Sequence, residues 1–473
     1  MKKILLTLAC LLGLAGSVAT VATPLDVEEA LTAARKAPRN RAAQRTAGDA
    51  LYEAGRYKEA ITYYLKSDNT GNLGAARAAF RMYNFDGART YLSRYLDKRT
   101  KAERERDIAA SGNDTDPTET LAAQIAMGDD MLGRVEKVTV IDSINVPAED
   151  FFQWMRLARS AGTIASADLI EEIISPEMVR EDEYLVVPGY LTEEADRLLW
   201  AKGDADDNVT LYETVRLVDG SWGEPTELFS HASLFDADDG GDFVGHPFLM
   251  PDGVTLYFAA DGDRSLGGLD IFMSRRDERG FLQPSNVGMP FNSLYDDYML
   301  AIDEETGAGW WASDRNQIAD SVTLYVFIPS EVRVNYPTDT PDLASLARIS
   351  SIKLTQEDGA DYRALRRRIA SIKQTAPKVK RDKGPEFTLA LPDGRVITRY
   401  SDFTSARARE AMKEYLEAEA AYKANLEQLA ALRLKYGQGD RSVSGEILRL
   451  ESECETEASH LVEQRNQVIN SEI

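Results

Sequence analysis

The chain has 473 residues, a hydrophobic fraction of 43% and a formal net charge of −23. This length allows roughly three domains of ordinary size, and the hydrophobic fraction is that of a globular protein, so wholesale disorder is excluded. The strong negative charge argues against nucleic acid as a partner, because phosphate binding requires a basic surface.

Residues 1–22 are predicted to be a signal peptide. Lys2 and Lys3 provide the positive start, and an apolar run that is too short to span a membrane comfortably follows them. Small residues surround Ala19, and residues 20–22 offer a second cleavage site. We therefore expect export, cleavage near Ala19 and no transmembrane span in the mature chain. Cys10 lies inside the apolar run, and we favour its removal with the signal over its lipidation.

Residues 25–130 are predicted to be helical and to form tetratricopeptide-like repeats. The pattern places small residues where two helices approach and aromatic residues between them. It is carried by Gly48, Tyr52, Gly55, Tyr57, Ala60 and Tyr64. A second copy, offset by 28 residues, carries Phe85, Ala88 and Leu92 at the matching positions of the second helix. Two interpretations stay open, a concave peptide-binding surface and a packing or spacer module.

Residues 135–335 are predicted to form a β-propeller. Equivalent aromatic triplets recur at offsets of 58 and 53 residues, and each precedes a loop and a second strand. The triplets are Leu199-Trp200-Ala201, Tyr257-Phe258-Ala259 and Trp310-Trp311-Ala312. Repeated strand groups at this period are typical of propeller blades. Three blades are readable, whereas the smallest propellers need about four. The strands near Val138 and Leu185 are candidates for the rest. A β-hairpin predicted at 386–400 either closes the ring or stands apart as a small sheet.

Within this region, a set of turn and strand residues runs from His246 to Ser313. It includes the tight Pro251-Asp252-Gly253 turn, the aromatic strand before Ala259, the Gly267-Gly268 pair, and Asp270-Ile271-Phe272. The stretch resembles the TolB-type, WD-like β-propeller repeat of bacterial envelope proteins. With the tetratricopeptide-like helices, the chain looks like a family of periplasmic or outer-membrane-associated proteins of Bacteroidetes-type bacteria. The resemblance implies protein–protein interaction and no reaction. Some relatives carry a C-terminal OmpA-like domain that binds peptidoglycan, and no such domain is recognisable here.

The pattern becomes helical again after the propeller region. Residues 340–383 are predicted to be a helix and a basic linker, which we interpret as a solvated face. The alternative is that the basic cluster pairs with the chain's own propeller or with an anionic surface. A four-three spacing of apolar residues predicts an antiparallel helical hairpin at 404–473, with Cys454 as a buried, inert thiol in its seam. The predicted fold class is therefore multidomain α + β: N-terminal α-helical repeats, a central all-β propeller and a C-terminal antiparallel coiled-coil hairpin.

No catalytic, cofactor-binding or metal site is predicted. The sequence has no Gly-rich phosphate loop with Lys-Ser/Thr, and no HExxH, CxxC or GxSxG motif. Its histidines are His231, His246 and His460, and we interpret His246 as structural. Two acidic groups suggest calcium, but neither completes a calcium loop, and both are interpreted as solvated loops. They comprise Asp236, Asp238, Asp239 and Asp242, and Asp204, Asp206, Asp207 and Asn208.

These patterns predict a non-enzymatic protein-binding scaffold in the periplasm or at the periplasmic face of the outer membrane. The expected partners are envelope proteins, such as a secretion or outer-membrane assembly. The propeller is expected to be the main recognition surface, with Trp222, Phe281 and Tyr295 near its turns. The rival interpretation is that these aromatic side chains only fill space between blades. The alternative function is a propeller-based hydrolase or lyase acting on an envelope glycan or peptide.

Overall fold

The computed structural model describes residues 24–111, 116–234, 241–372, 387, 389–391, 396–397, 399–437 and 443–472. The predicted signal peptide with Cys10, most of the first acidic group and the basic linker beyond residue 372 lie outside these residues. The chain divides into two compact units, Met1–Thr375 and Ala376–Ile473. Both contain helices and antiparallel strands, so the predicted mixed α + β class is confirmed.

The first unit begins with helices that pack against their neighbours along the chain. They are α1 (Pro24–Lys36), α2 (Arg41–Glu53), α3 (Tyr57–Tyr64), α4 (Asn69–Arg81), α5 (Phe85–Leu96), α6 (Lys101–Ser111) and α7 (Pro117–Leu132). Side-chain caps set several of their starts. Asn40 accepts the N–H groups of Ala42 and Ala43 at the start of α2, and Asp116 accepts that of Thr118 at the start of α7.

Close helix packing in this array depends on two glycines around Tyr64. A Cβ atom added to Gly48 on α2 or to Gly74 on α4 would lie 2.6 Å from a ring carbon of Tyr64 on α3. Real Cβ atoms do not approach so closely, so only glycine allows the ring to lie between the two helices. The small residue of the tetratricopeptide-like pattern therefore stands at a close helix contact.

Three large antiparallel sheets complete most of the first unit. Their strands in chain order are β1 (Thr139–Pro147), β2 (Thr163–Ala165), β3 (Tyr184–Leu191), β4 (Arg197–Gly203), β5 (Val209–Val215), β6 (Thr226–Phe229), β7 (Val244–Leu249), β8 (Thr255–Ala260), β9 (Asp270–Asp277), β10 (Gly280–Phe281), β11 (Ser285–Asn286), β12 (Asp297–Asp303), β13 (Ala308–Ser313) and β14 (Ser321–Ile328). The first sheet has the order β2-β3-β4-β5-β6, and the second β7-β8-β9-β10 with β11 also on β9. The third has the order β12-β13-β14-β1. The described strands do not close into a ring.

The aromatic triplets of the sequence lie at matching places in the three sheets. They fall on β4, β8 and β13, and their central residues pair across to the following strand. The pairs are Trp200 with Tyr212, Phe258 with Phe272, and Trp311 with Tyr325. The ring centroids of Trp311 and Tyr325 are 4.7 Å apart in a stacked arrangement. Burial of such rings on neighbouring strands is a main source of sheet stability.

Short helices surround the sheets: α8 (Ala167–Ile173), α9 (His231–Leu234), α10 (Leu343–Ala347) and α11 (Arg363–Ser371), with 3-10 turns at Ala148–Trp154 and Arg159–Ala161. Ile369 of α11 is buried in the core that the sheets share. This docking brings Arg366 Nε within 3.1 Å of the carbonyl oxygen of Ile141, and Arg368 Nη1 within 3.2 Å of that of Thr306. Arg366 and Arg368 remain exposed on this helix, which packs on the sheets through Ile369.

The second unit contains a short hairpin of β15 (Leu389–Ala390) and β16 (Val396–Ile397), and two long helices, α12 (Ala406–Gly437) and α13 (Ser444–Glu472). The helices pair in antiparallel order. Glu472, at the end of α13, accepts the N–H groups of Thr404 and Ser405 at 2.9 and 3.0 Å, just before α12 begins. Cys454 is buried between the helices, and burial raises the pKa of its thiol.

A helix must be long and apolar to cross a bilayer. None of the helices among the described residues meets both conditions.

The equivalent tryptophans of the first and third sheets differ in one hydrogen bond. Trp200 Nε1 donates to Thr214 Oγ1 at 2.9 Å, whereas the buried Trp311 Nε1 has no acceptor among the described residues. Both side chains are fully buried. We expect Trp200→Phe to cost about 1–3 kcal/mol more stability than Trp311→Phe. The first substitution leaves the buried hydroxyl of Thr214 without its hydrogen-bond donor, whereas the second removes a donor that has no partner among the described residues. Urea denaturation of both variants measures the difference, and equal losses would contradict it.

Candidate functional site

The three sheets meet around His246. Strand β7, which carries this residue, packs against both β3 and β12. His246 has a left-handed φ of 52° and interrupts the pairing of β7 with β8. Its Nδ1 lies 2.9 Å from the carbonyl oxygen of Tyr298 on β12, and the backbone of Val187 on β3 is a second hydrogen-bond partner. One side chain thus joins strands of all three sheets.

The surroundings of His246 are apolar. The rings of Phe243 and Phe151 lie 5.1 and 6.0 Å from the imidazole, centroid to centroid. Burial lowers the pKa of His246 to about 4, although the carbonyl groups of Tyr298 and Val187 oppose this shift. The imidazole is therefore neutral at pH 7, and its single N–H can donate to one backbone carbonyl oxygen. This geometry supports the structural interpretation of His246, since a general base must reach a reacting group.

A second polar centre fixes the loop that precedes β12. Arg315 donates to the carbonyl oxygens of Pro290 and Phe291 at 2.7 and 2.6 Å. It also pairs with Asp297 at 2.8 Å, and the two side chains are only 3% and 0% exposed. Buried charges of opposite sign are tolerated when the pair is close and its remaining donors are satisfied. Arg315 therefore clamps residues 290–297 onto the third sheet.

The other side of the same loop contacts the helices. The N–H of Leu294 donates to Tyr83 Oη at 3.2 Å, and its carbonyl oxygen accepts from Arg81 Nη1 at 3.2 Å. The guanidinium of Arg81 lies 4.8 Å from the centre of the Tyr295 ring, within range of a cation–π interaction. The loop is thus the joint between the helical array and the sheets of the first unit.

The three aromatic residues proposed for recognition all make contacts inside the chain. Tyr295 faces Arg81, as described above. The Phe281 ring lies 5.8 Å from that of Phe229, and 4.5 Å from the Arg276 guanidinium. Trp222 is half-buried against the core around Trp200. The rival interpretation, internal packing, fits these three side chains.

The acidic loops of the sequence are organised by their own backbone. Asp204 Oδ1 accepts the N–H groups of Asp206 and Asn208 at 2.9 and 3.0 Å. The N–H of Asp242 donates to Asp261 Oδ1 at 3.0 Å, and burial raises the pKa of Asp261 to about 7. Within the described parts of the chain, no group of three or more His, Cys, Asp or Glu residues is placed to hold a metal ion.

Buried carboxyl groups collect near the Arg315 clamp. Burial raises the pKa of Asp270 to about 8, and the charge of Asp297 adds to this effect. Burial likewise raises the pKa of Asp314 to about 7, with Asp296 and Asp297 as further causes. Asp314 Oδ1 accepts the N–H of Asp296 at 2.9 Å. These groups bond mostly to backbone amides, so their arrangement stabilises turns.

The exposed surface of the first sheet is strongly acidic. Residues 163–229 contain 17 Asp or Glu and 4 Lys or Arg, which gives this stretch a net charge of −13 out of −23 for the chain. Fourteen of the 17 acidic residues are exposed. Of the four basic residues, Arg180 and Arg216 are exposed. The first sheet therefore presents a negative surface to solvent.

An apolar tip projects from this surface between β5 and β6. It consists of Val215, Leu217 and Val218, which are 37%, 50% and 110% exposed. The tip was not predicted from the sequence, although an apolar pair directly before Asp219-Gly220 is a visible signal of a hairpin end. No predicted site residue lies in the tip.

Comparison with known proteins identified no relative of this chain. No family model matches it, and neither the curated proteins nor the solved structures contain a match.

The Arg315 clamp can be tested by removing only the charge of its partner. We expect Asp297→Asn to cost about 3–5 kcal/mol, because Arg315 would keep a buried charge without a counter-charge. Asp361→Asn, in an exposed pair with Arg363, is the matched control and should change stability little. Denaturation gives the cost, and hydrogen exchange at Leu294 reports the joint. A variant as stable as the wild type would show that the pair does not hold the loop.

The raised pKa of Asp314 gives a pH dependence with a defined sign. The folded state holds the proton up to about pH 7, whereas the unfolded state loses it near 3.8, so stability falls as the pH rises between these values. Asp314→Asn removes this titration. We expect the stability of the wild type relative to the variant to fall from about pH 4 to about pH 7 and then stay constant. A difference that is independent of pH, or that rises, would contradict the assignment.

Proposed function

We propose that the chain is a non-enzymatic protein-binding scaffold of the bacterial envelope, with the three sheets as its main recognition surface. The location is the periplasm or the periplasmic face of the outer membrane, and its basis is the signal-peptide pattern around Lys2, Lys3 and Ala19. The partners are envelope proteins, such as a secretion or outer-membrane assembly.

The observation that supports binding is the contrast between the interior and the surface of the sheets. Inside, His246 and Arg315 make hydrogen bonds to backbone carbonyls of neighbouring strands and loops. Outside, the first sheet leaves many carboxylates and the apolar tip in solvent. A rigid framework with an exposed apolar feature inside a polar rim is favourable for association, since little order must be gained on binding.

The finer fold assignment belongs to the same proposal. We assign the three sheets to a propeller-type fold because each is a meander, their triplets occupy matching strands, and β1 completes the sheet of β12, β13 and β14. We assign α2 to α5 to tetratricopeptide-like repeats because Gly48 and Gly74 enclose Tyr64. The helices α12 and α13 are assigned to a coiled-coil hairpin on the spacing of their apolar residues.

The alternative of a hydrolase or lyase gains no support from the centre of the sheets. The hydrogen-bond partners of His246 are backbone carbonyl groups, and aromatic rings surround it. The binding role is therefore the better reading of this geometry.

Crosslinking in intact cells tests the proposed role. Residues 139–328 contain a single lysine, Lys202, which pairs with Glu183 at 2.9 Å. Amine-reactive reagents would therefore report little from the sheets, so a dihydrazide used together with a carboxylate-activating coupling reagent is suitable. We expect most crosslinks to other envelope proteins to map to carboxylates of residues 139–328. Crosslinks confined to α1–α7 or to the second unit would show that the sheets are not the recognition surface.

A further inference from the structure

We infer that the apolar tip of Val215, Leu217 and Val218 inserts into an apolar pocket with a basic rim on a partner protein. This inference rests on the proposed binding function and names the surface that performs it. Val218 has no burial at all, and Leu217 is half exposed. Scattered apolar residues on a surface are ordinary, so exposure alone does not mark a site.

The tip is held in one conformation before any partner binds. The N–H of Leu217 donates to the carbonyl oxygen of Ser221 at 2.7 Å, and Asp219 Oδ1 accepts from both the N–H and the hydroxyl of Ser221. Gly220 has a φ of 87°, which suits glycine in a tight turn. At the base, Trp222 is half-buried against the core of the sheet. Such a preformed turn binds at a low entropic cost.

The rim of the tip is negative. The N–H of Arg216 donates to the carbonyl oxygen of Asp196 at 2.7 Å, which places the turn between β3 and β4 beside the tip. That turn carries the exposed Glu193, Glu194 and Asp196. The tip itself adds the exposed Asp219. Arg216 is also exposed, with its Nε 3.3 Å from the carbonyl oxygen of Gly220, so these four carboxylates outnumber one guanidinium at the rim.

The negative charge around the tip determines which kind of protein can bind there. A second copy docking through the same face would bring like charges together, which costs free energy at an interface. A basic surface gains from the same field and is attracted over a distance of about one Debye length, roughly 8 Å at physiological salt. The occupant is therefore a different protein that surrounds an apolar pocket with Lys or Arg.

Photocrosslinking followed by a binding measurement tests this assignment in the full mature chain. A benzophenone amino acid replaces Val218, and Val332 is the matched control because it is also a highly exposed valine but lies beside Arg333. We expect a position-218 adduct with another envelope protein. That protein, once purified, should bind the wild type with an affinity that falls at higher salt.

Paired serine variants complete the test. We expect Leu217→Ser with Val218→Ser to weaken binding of the identified protein by about tenfold or more, and Val332→Ser with Val334→Ser to leave it unchanged. An adduct with a second copy, no adduct above the position-332 control, or binding insensitive to the tip variant or to salt would overturn the inference. If dihydrazide crosslinks elsewhere on the sheets persist in that case, the tip assignment fails alone; if they are also absent, the proposed function fails with it.

Discussion

The first unit depends on one buried ion pair, Arg315 with Asp297. The guanidinium is removed from water and would be unfavourable alone, but it meets a carboxylate, two carbonyl oxygens and the Ser313 hydroxyl. These bonds fix residues 290–297 on the third sheet. Because Leu294 in that loop contacts Tyr83, the position of the helices follows from the same pair. The pair contributes mainly geometry, since alternatives that leave either charge unpaired are costly.

His246 performs a related task for the three sheets. Meanders that share only apolar contacts can slide, because the hydrophobic effect is not directional. The imidazole adds a directional hydrogen bond at the point where β7 packs against β3 and β12. Its low pKa reflects the cost of charging a group in this apolar setting, so the connection is made by a neutral ring at pH 7. Both polar centres therefore serve the framework.

The sequence predicted local structure better than long-range contacts. The amphipathic pattern predicted helical structure over residues 25–130, and the repeated triplets marked the strands β4, β8 and β13, because these signals come from neighbouring residues. The Arg315 clamp could not be predicted because it holds a loop that contacts a helix far away in the sequence. Tyr83 and Leu294, which form that contact, are 211 residues apart. The same reason explains Tyr295, whose ring was proposed for recognition but packs on Arg81.

Arg366 shows the same limit. A run of basic residues in the sequence does not reveal that Arg366 donates to the carbonyl oxygen of Ile141. His246 was interpreted as structural, but the strands that it contacts could not be named from sequence. The apolar tip was not predicted because aromatic residues were proposed as the recognition surface. The structure instead packs those aromatic side chains against other parts of the chain. Large aromatic side chains fill the core, whereas the large apolar residues that are exposed in the described part of the chain are aliphatic. In the role proposed here for a stretch that carries −13 of the net charge, the aliphatic tip would provide contact area and the carboxylates would select the partner. Long-range attraction and short-range insertion would then act at different distances from one sheet.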